Sequence, residues 1–573
     1  MTDVPAGSRV SSGDARPELV VEAVNGLTVV TPARPRDGDV TAALTFRVGV
    51  ADEPLAMRGI CHLIEHLGLS NFQSDRLRWN GSVDLSRTTF LAEGPAAEVT
   101  RFLREVTSAL GSLPESRIGH ERRILQVEAQ SRAGSIFESL LAMRYGLRGP
   151  GIVIAPEWGL EWLEGDQLRA WVSEWFTASN AALWSTAPLP ADTLELSAGV
   201  PCYPTLPPRD LRLPLFEARD TPLVALSSVV PRALASSVVT AQIARRLWQR
   251  LRREHGLSYS PTASYSPLSA DRAAVALSAE THAEHRHETV MQFLRTLSEM
   301  AEQGASDEEL TATRQGMREQ WQQPGAEAAH MDGVALGMLF GVADPLYERY
   351  EGDLERLTSD DLAAAARTIR DQALLIVPAG CENAADPPFR PYSIPTTSPV
   401  AGRRARWQYA PIGDVYGLTF GPDGVTHWNP DGRGTTVRFD ACAGVIAWRN
   451  GARLLYAADG TMLDLRPGEW RGYAAVLDCV DAHAPQPMAR LDRDLERDPE
   501  WISQAKRWRM ARIWERWGSA IGAVASIGGV AVLVALLEMA STPSRRGPVL
   551  AFLVVAIVVG FASWIARKDM RAS

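Results

Sequence analysis

Hydrophobic and polar positions along the chain change period several times, and the changes mark out elements. LVVEAVNGLTVVTPA (19–33) reads as two short strands joined at Asn25-Gly26, a pair suited to the positive φ angles of a tight hairpin turn. VTAALTFRVGV (40–50) alternates as a half-buried strand, and a helical stretch follows from Arg58. The same order returns from about residue 215, with LVALSSVV as a strand, Val238 to His255 as an amphipathic helix, AAVALSAET as a strand and a long helix after it. The pattern predicts an α+β chain with two similar halves, 19–210 and 211–384, behind a polar, disordered N-terminus (1–18). After the strand LLIVPAG, Pro387, Pro388, Pro391, Pro395 and Pro399 mark a linker over 385–404. Short strands with turn signals then recur over 405–490 (YGLTFGPDGVTHW, TTVRFD, GVIAWRNG, RLLYAADGTMLDL), with a closing helix around Tyr473 to Cys479.

Two uncharged apolar runs, Gly518 to Leu537 and Val549 to Ala566, flank STPSRRGP and predict a pair of transmembrane helices over 518–566. Basic residues Lys506, Arg507, Arg509, Arg512 and Arg516 lie in the juxtamembrane stretch 491–517, and Arg567, Lys568 and Arg571 in the tail 567–573. By the positive-inside bias both flanks face the cytoplasm, so the expected localisation is a two-span membrane protein with its folded part in the cytoplasm. The first residues lack the apolar core of a secretory signal.

With 573 residues there is room for roughly three to four domains. A formal net charge of −9, without a long basic run in the first 500 residues, argues against nucleic acid as a partner. The five cysteines, Cys61, Cys202, Cys381, Cys442 and Cys479, are widely spaced and form no Cys-x-x-Cys pair, so neither a disulfide framework nor a cysteine metal site is indicated.

One short segment carries metal chemistry. In Cys61-His62-Leu63-Ile64-Glu65-His66-Leu67 the two histidines stand four apart, so on a helix they project from one face and can share an ion. Glu65 lies on nearly the same face. This is the inverted His-x-x-Glu-His order, in which the glutamate is a proton acceptor for a metal-activated water and not a ligand. Ile60, Leu63, Ile64 and Leu67 make the opposite face apolar, so the helix can be buried and still present its ligands. A catalytic zinc site needs a third protein ligand, and HERRILQVEAQ offers Glu121 and Glu128. The other histidine cluster, His282, His285 and His287, precedes a helical periodicity without that order and reads as a solvated helix start.

NGLTVV, a strand, then Gly59-Ile60-Cys61-His62-Leu63-Ile64-Glu65-His66-Leu67, then Glu121-Arg122-x5-Glu128, resemble the pitrilysin and mitochondrial processing peptidase (insulinase-like) family in its order. The resemblance extends over about residues 20 to 385 and implies two homologous peptidase-like halves. It implies that His62, His66 and Glu128 bind zinc (Zn2+), that Glu65 is the catalytic base, and that Glu121 supports the site by bonding a ligand histidine. Asn80, in NGSVDLSRT, falls on the family's substrate-holding edge strand, although only Asn80 and Thr88 align well there. The 62 residues from His66 to Glu128 (128 − 66) are fewer than the family pattern, with the shortening in FQSDRLRW. In the second half, RLWQRLRREHGLSYSPTASYSP sets Arg252 and Tyr259 on the family's substrate-side positions. Residues 405–490 resemble a small barrel of the pleckstrin-homology type, with a protein-binding or spacer module as the alternative.

The resemblance implies a zinc metalloendopeptidase that hydrolyses peptides or leader segments through a metal-activated water, and the two apolar runs imply that it is anchored in a membrane. It also implies a half-size chamber closed by a homodimer or by a heterodimer with a related subunit. The alternative is a non-catalytic peptidase-fold subunit or membrane scaffold acting with a catalytic partner.

Overall fold

The Asn25-Gly26 turn stands where the alternation predicts it, with φ angles of 51° and 85° that a two-residue hairpin demands. It belongs to a computed structural model that describes residues 8–9 and 18–495, apart from 36–37, 132–133, 204–207, 322, 324, 343–349, 386–387, 393–397, 410–414 and 430–431. Met1–Pro395 with Ala457–Gly460 form one unit, and Thr396–Tyr456 with Thr461–Ser573 another.

The first unit contains two sheets. One is built from β1 (Ser8–Arg9), β2 (Leu19–Val24), β3 (Leu27–Pro32), β4 (Val40–Phe46), β5 (Arg78–Val83), β6 (Thr88–Gly94) and β7 (Ala181–Ser185), in the order β1-β2-β3-β7-β4-β6-β5. Its helices are α1 (Ile60–Leu69), α2 (Ala96–Gly111), α3 (Ile118–Ser131), α4 (Ile136–Tyr145) and α5 (Gly165–Trp175). The other sheet contains β8 (Leu215–Arg219), β9 (Leu223–Pro231), β10 (Thr262–Pro267), β11 (Arg272–Glu280), β12 (Leu374–Pro378) and β13 (Arg390–Pro391), in the order β10-β11-β9-β12-β8-β13. Its helices are α6 (Leu234–Leu247), extended by a π-helical turn over Trp248–Glu254, α7 (Arg286–Gln303), α8 (Asp307–Gln320), α9 (Ala326–Leu339), α10 (Tyr350–Arg356), α11 (Ser359–Asp371) and α12 (Glu382–Ala385).

Read from β5 and from β10, the sheets run β5-β6-β4-β7-β3 and β10-β11-β9-β12-β8, and the parallel pair falls at the same place in each, β7 on β3 and β12 on β8. The two halves therefore share one topology, in which α1 corresponds to α6 and α4 to α9. Each half lends a helix to the other. Met331, Val334, Ala335 and Leu339 of α9 pack on Val30, Ala43, Ala182 and Trp184 of the first sheet. Leu140 and Met143 of α4 pack on Ala225, Leu374 and Ile376 of the second. At the end of α4 the fully buried Arg144 donates to the carbonyls of Ser227 and Gln372, each at 2.8 Å. Burial lowers its pKa to about 10, so the guanidinium remains charged at neutral pH.

The second unit also contains two sheets. Strands β14 (Arg403–Trp407), β15 (Gly417–Gly421), β16 (Gly424–Trp428) and β17 (Gly434–Arg438) form a sheet with β21 (Trp470–Arg471), and β18 (Cys442–Trp448), β19 (Arg453–Ala457) and β20 (Met462–Leu465) form another with β22 (Ala489–Leu491). A helix, α13 (Tyr473–His483), buries Val476 and Val480. It covers the stretch where the sequence predicts a closing helix.

The expected localisation is corrected here. No helix among the described residues is long and apolar enough to cross a membrane, so a two-span membrane protein is not supported. The runs Gly518 to Leu537 and Val549 to Ala566, on which that expectation rested, lie outside the described residues. An uncharged run reports apolar composition alone, and composition does not decide what a segment packs against.

Asp332 of α9 ties the exchanged helix to the first sheet, accepting from Arg87 Nη1 at 2.8 Å and from Trp184 Nε1 at 3.1 Å. Asp332→Ala strands both donors and is expected to lower unfolding stability by about 2 kcal/mol. Asp332→Asn, which keeps one acceptor oxygen, should cost less. Denaturant unfolding of both variants checks the order, and equal, negligible losses would remove Asp332 as the tie.

Candidate metal centre

Helix α1 begins at Gly59, whose φ of +99° is left-handed and favours glycine. Ile60, Cys61, Leu63, Ile64 and Leu67 are buried in the core of the first half. That burial fixes the rotation of the helix and leaves His62 and His66 half-buried on its other side. Their rings stand 5.1 Å apart at 85°. Helix α3 brings Glu128 against them, with its carboxylate oxygens 3.8 Å from His62 Nε2 and 3.8 Å from His66 Nε2. One ligand atom from each of His62, His66 and Glu128 can be chosen so that all lie within 4.8 Å of one another. Two imidazole nitrogens and a carboxylate oxygen suit zinc, and three protein ligands leave a position open. No other such group occurs among the described residues; His282 and His285 are exposed ahead of α7, and His287 is exposed in its first turn.

The opposite nitrogens of the two rings are also engaged. His66 Nδ1 lies 3.3 Å from Glu121 Oε2, and Arg117 holds the other Glu121 oxygen at 2.8 Å. His62 Nδ1 lies 3.2 Å from Glu157 Oε1 and 3.3 Å from Oε2. A carboxylate only accepts, so each Nδ1 carries the hydrogen, and each Nε2 is the ring nitrogen turned toward Glu128. Glu157 has no counterpart in the sequence reading, because it sits in the loop APEWGLEW, where no periodicity points toward α1. Arg117 had a legible signal in its four-residue spacing from Glu121 on one helix face.

Glu65 is buried on the β5 side of α1, its Oε2 3.8 Å from His66 Nε2. Burial pushes its carboxyl up, while the nearby His66 and His62 pull it down. The space it occupies exists because of Gly81 in β5: a Cβ there would overlap the Glu65 carboxylate and press on Leu69. Phe72, from the shortened segment, packs edge-on against Trp79 at 5.5 Å and Phe102 at 4.9 Å, so a short connection still anchors the start of β5. A cleft of about 1020 Å³ opens over these groups, lined by the motif, by Trp79 to Val83 of β5 and by Ile124 and Ile154. Asn80 lines it from β5, the last strand of its sheet. Arg252 and Tyr259 do not line it. The Arg252 guanidinium stacks over the Tyr259 ring at 4.5 Å, and Tyr259 is 71% exposed.

No curated protein sequence matches the chain. Several solved structures do. A protease from Helicobacter pylori superposes with a TM-score of 0.51 at 16% identity, over 63% of this chain and 100% of that one. A Peptidase M16 inactive domain from Pseudomonas fluorescens gives 0.52 at 12%, over 62% and 97%. Pitrilysin gives 0.50 at 15%, over 65% of this chain and 47% of that one. At these identities the likeness is one of fold. Residues 221–317 match the family model described as the Peptidase M16 inactive domain. They lie wholly in the second half, whose α6 has no histidine, whereas His62, His66 and Glu128 lie in the first. The chain thus has the M16-like α+β peptidase fold, and within its second half residues 221–317 match the M16 inactive-domain model.

Proposed function

We propose that the chain is a zinc-dependent endopeptidase acting on extended peptides or leader segments. The observation that carries this reading is the convergence of His62 Nε2, His66 Nε2 and the Glu128 carboxylate beside Glu65, under a cleft with an edge strand. These three residues would hold the metal. A bound zinc ion supplies a Lewis acid for the scissile carbonyl and acidifies a water. Glu65 takes the proton from the attacking water at its carboxylate and returns it to the leaving amine. Glu121, itself held by Arg117, keeps His66 oriented. The backbone of β5 offers its outer edge to an extended peptide, which would add as another strand beside Asn80.

Arg252 and Tyr259 are exposed and away from the cleft of their own chain, so their use on a peptide calls for a second, related chain. A homodimer or heterodimer is therefore part of the proposal. Residues 405–490 would serve as an accessory binding or spacer module. The inactive-domain match of residues 221–317 favours a second reading, a subunit that binds zinc and yet requires a catalytic partner.

The purified chain, stripped with chelator and titrated with Zn2+, is expected to bind one equivalent, and His62→Ala to lose it. Against a library of internally quenched peptides, Glu65→Gln should lower kcat by about 10²- to 10⁴-fold with zinc content unchanged. Unchanged turnover would remove Glu65 as the base. Zinc binding without turnover by the wild type would favour the partner-dependent reading.

Gly81→Ala tests the fit of Glu65 independently. Its methyl group would displace the carboxylate, so kcat should fall about 10- to 100-fold while zinc remains bound. Full activity in this variant would show that the close approach at Gly81 is not needed.

A further inference from the structure

Glu157 belongs to no motif, yet it makes the same contact with His62 that Glu121 makes with His66. The likeness extends outward. Glu121 is held by Arg117 at 2.8 Å, and Glu157 has Arg58 Nη1 3.5 Å from its Oε1. Each imidazole thus ends an arginine–glutamate–histidine chain. On the His62 side the chain is longer, because Arg58 also donates to the buried Glu53 at 2.8 Å. Glu53 in turn accepts the backbone N–H groups of Gly59 and Cys61, each at 2.9 Å, and so caps the first turn of α1.

The loop that carries Glu157 is fastened to the same segment. Gly159 N donates to the Arg58 carbonyl at 2.9 Å, and Trp162 Nε1 donates to the Ala56 carbonyl at 2.9 Å. At Gly159 a Cβ would meet the Arg58 carbonyl at 2.7 Å, and at Gly59 a Cβ would meet Glu157 Cβ at 2.9 Å. Two glycines therefore permit this close approach. One buried network accordingly sets the start of α1 and the orientation of its first histidine.

We infer that Glu157 is a positioning residue: it holds His62 in the Nδ1–H form with Nε2 turned toward Glu128, and the Glu53–Arg58 pair holds Glu157 there. The inference rests on the metal-centre reading above. Outer carboxylates of this kind fix the tautomer of a ligand imidazole and raise its basicity, and their loss typically weakens metal binding 10- to 100-fold.

The test uses the full chain with 15N-labelled histidine and two variants. Glu157→Gln keeps an acceptor oxygen but loses the charge, and Glu157→Leu loses both. In metal-free protein the long-range 15N–1H spectrum, with His62 assigned from His62→Ala, should show the Nδ1–H form in wild type and Glu157→Gln and its loss in Glu157→Leu. Zinc dissociation constants should rise about 10-fold for Glu157→Gln and toward 100-fold for Glu157→Leu. A residue needed only for folding would lower the melting temperature without moving the tautomer. Equal zinc affinity and an unchanged His62 tautomer in the variants would overturn the inference while leaving the metal centre standing. If the leucine variant does not fold, equal zinc affinity in wild type and Glu157→Gln overturns it. A wild-type chain that binds no zinc would sink the metal-centre reading and this inference with it.

Discussion

An imidazole has two nitrogens, and it can present one in a defined direction only when the other is held. Much of the first half of this chain serves that condition. His62 is held by Glu157 and His66 by Glu121, and both carboxylates are backed by guanidinium groups. The supporting residues come from the loop before α1, the loop after α4 and the start of α3, so the condition is met only after three separate stretches have packed together. Glu53 shows how tightly the parts are coupled, since one buried carboxylate caps the helix and also fixes Arg58. Burial makes such a chain costly to interrupt, because each member removed leaves a charged neighbour without its partner in a region of low dielectric.

The core packing beneath the site explains why α1 can carry this load. Its apolar face sits in the core cluster of the first half. Rotation about the helix axis is thereby excluded, and the histidine face is directed at α3 and β5. On the β5 side the fit depends on an absent atom. Gly81 supplies no Cβ, and the Glu65 carboxylate lies in the space left. A strand glycine ordinarily weakens a sheet, and here it permits the Glu65 carboxylate to lie against the edge strand.

The two halves repeat a topology but differ in their chemistry. Each gives up a helix, α4 or α9, to cover the sheet of the other, so neither sheet keeps its apolar face without the partner half. The helix of the second half that corresponds to α1 has no histidine, and the surrounding segment matches the inactive-domain model. The packing is thus common to both halves, while the metal-type face occurs, among the described residues, in the first half alone.

Features that depend on neighbours along a single element were legible in the sequence. The His62–His66 spacing, the apolar face of α1, the shared face of Glu121 and Glu128, the Asn25-Gly26 turn and the repeated strand–helix order all follow from the periods of 3.6 and 2. Apolar composition over 518–566 was equally plain, yet the membrane expectation built on it is not supported by any described helix. What only the tertiary structure decided is which groups from different elements meet. It set Glu128 against the Nε2 atoms and Glu121 against Nδ1, brought in Glu157 and Arg58, made Gly81 the space for Glu65, and left Arg252 and Tyr259 outside the cleft. Contacts across elements have no period in the chain. They are fixed by core packing, which rotates each helix and sets each loop, and that packing is a property of the whole first unit rather than of any stretch within it.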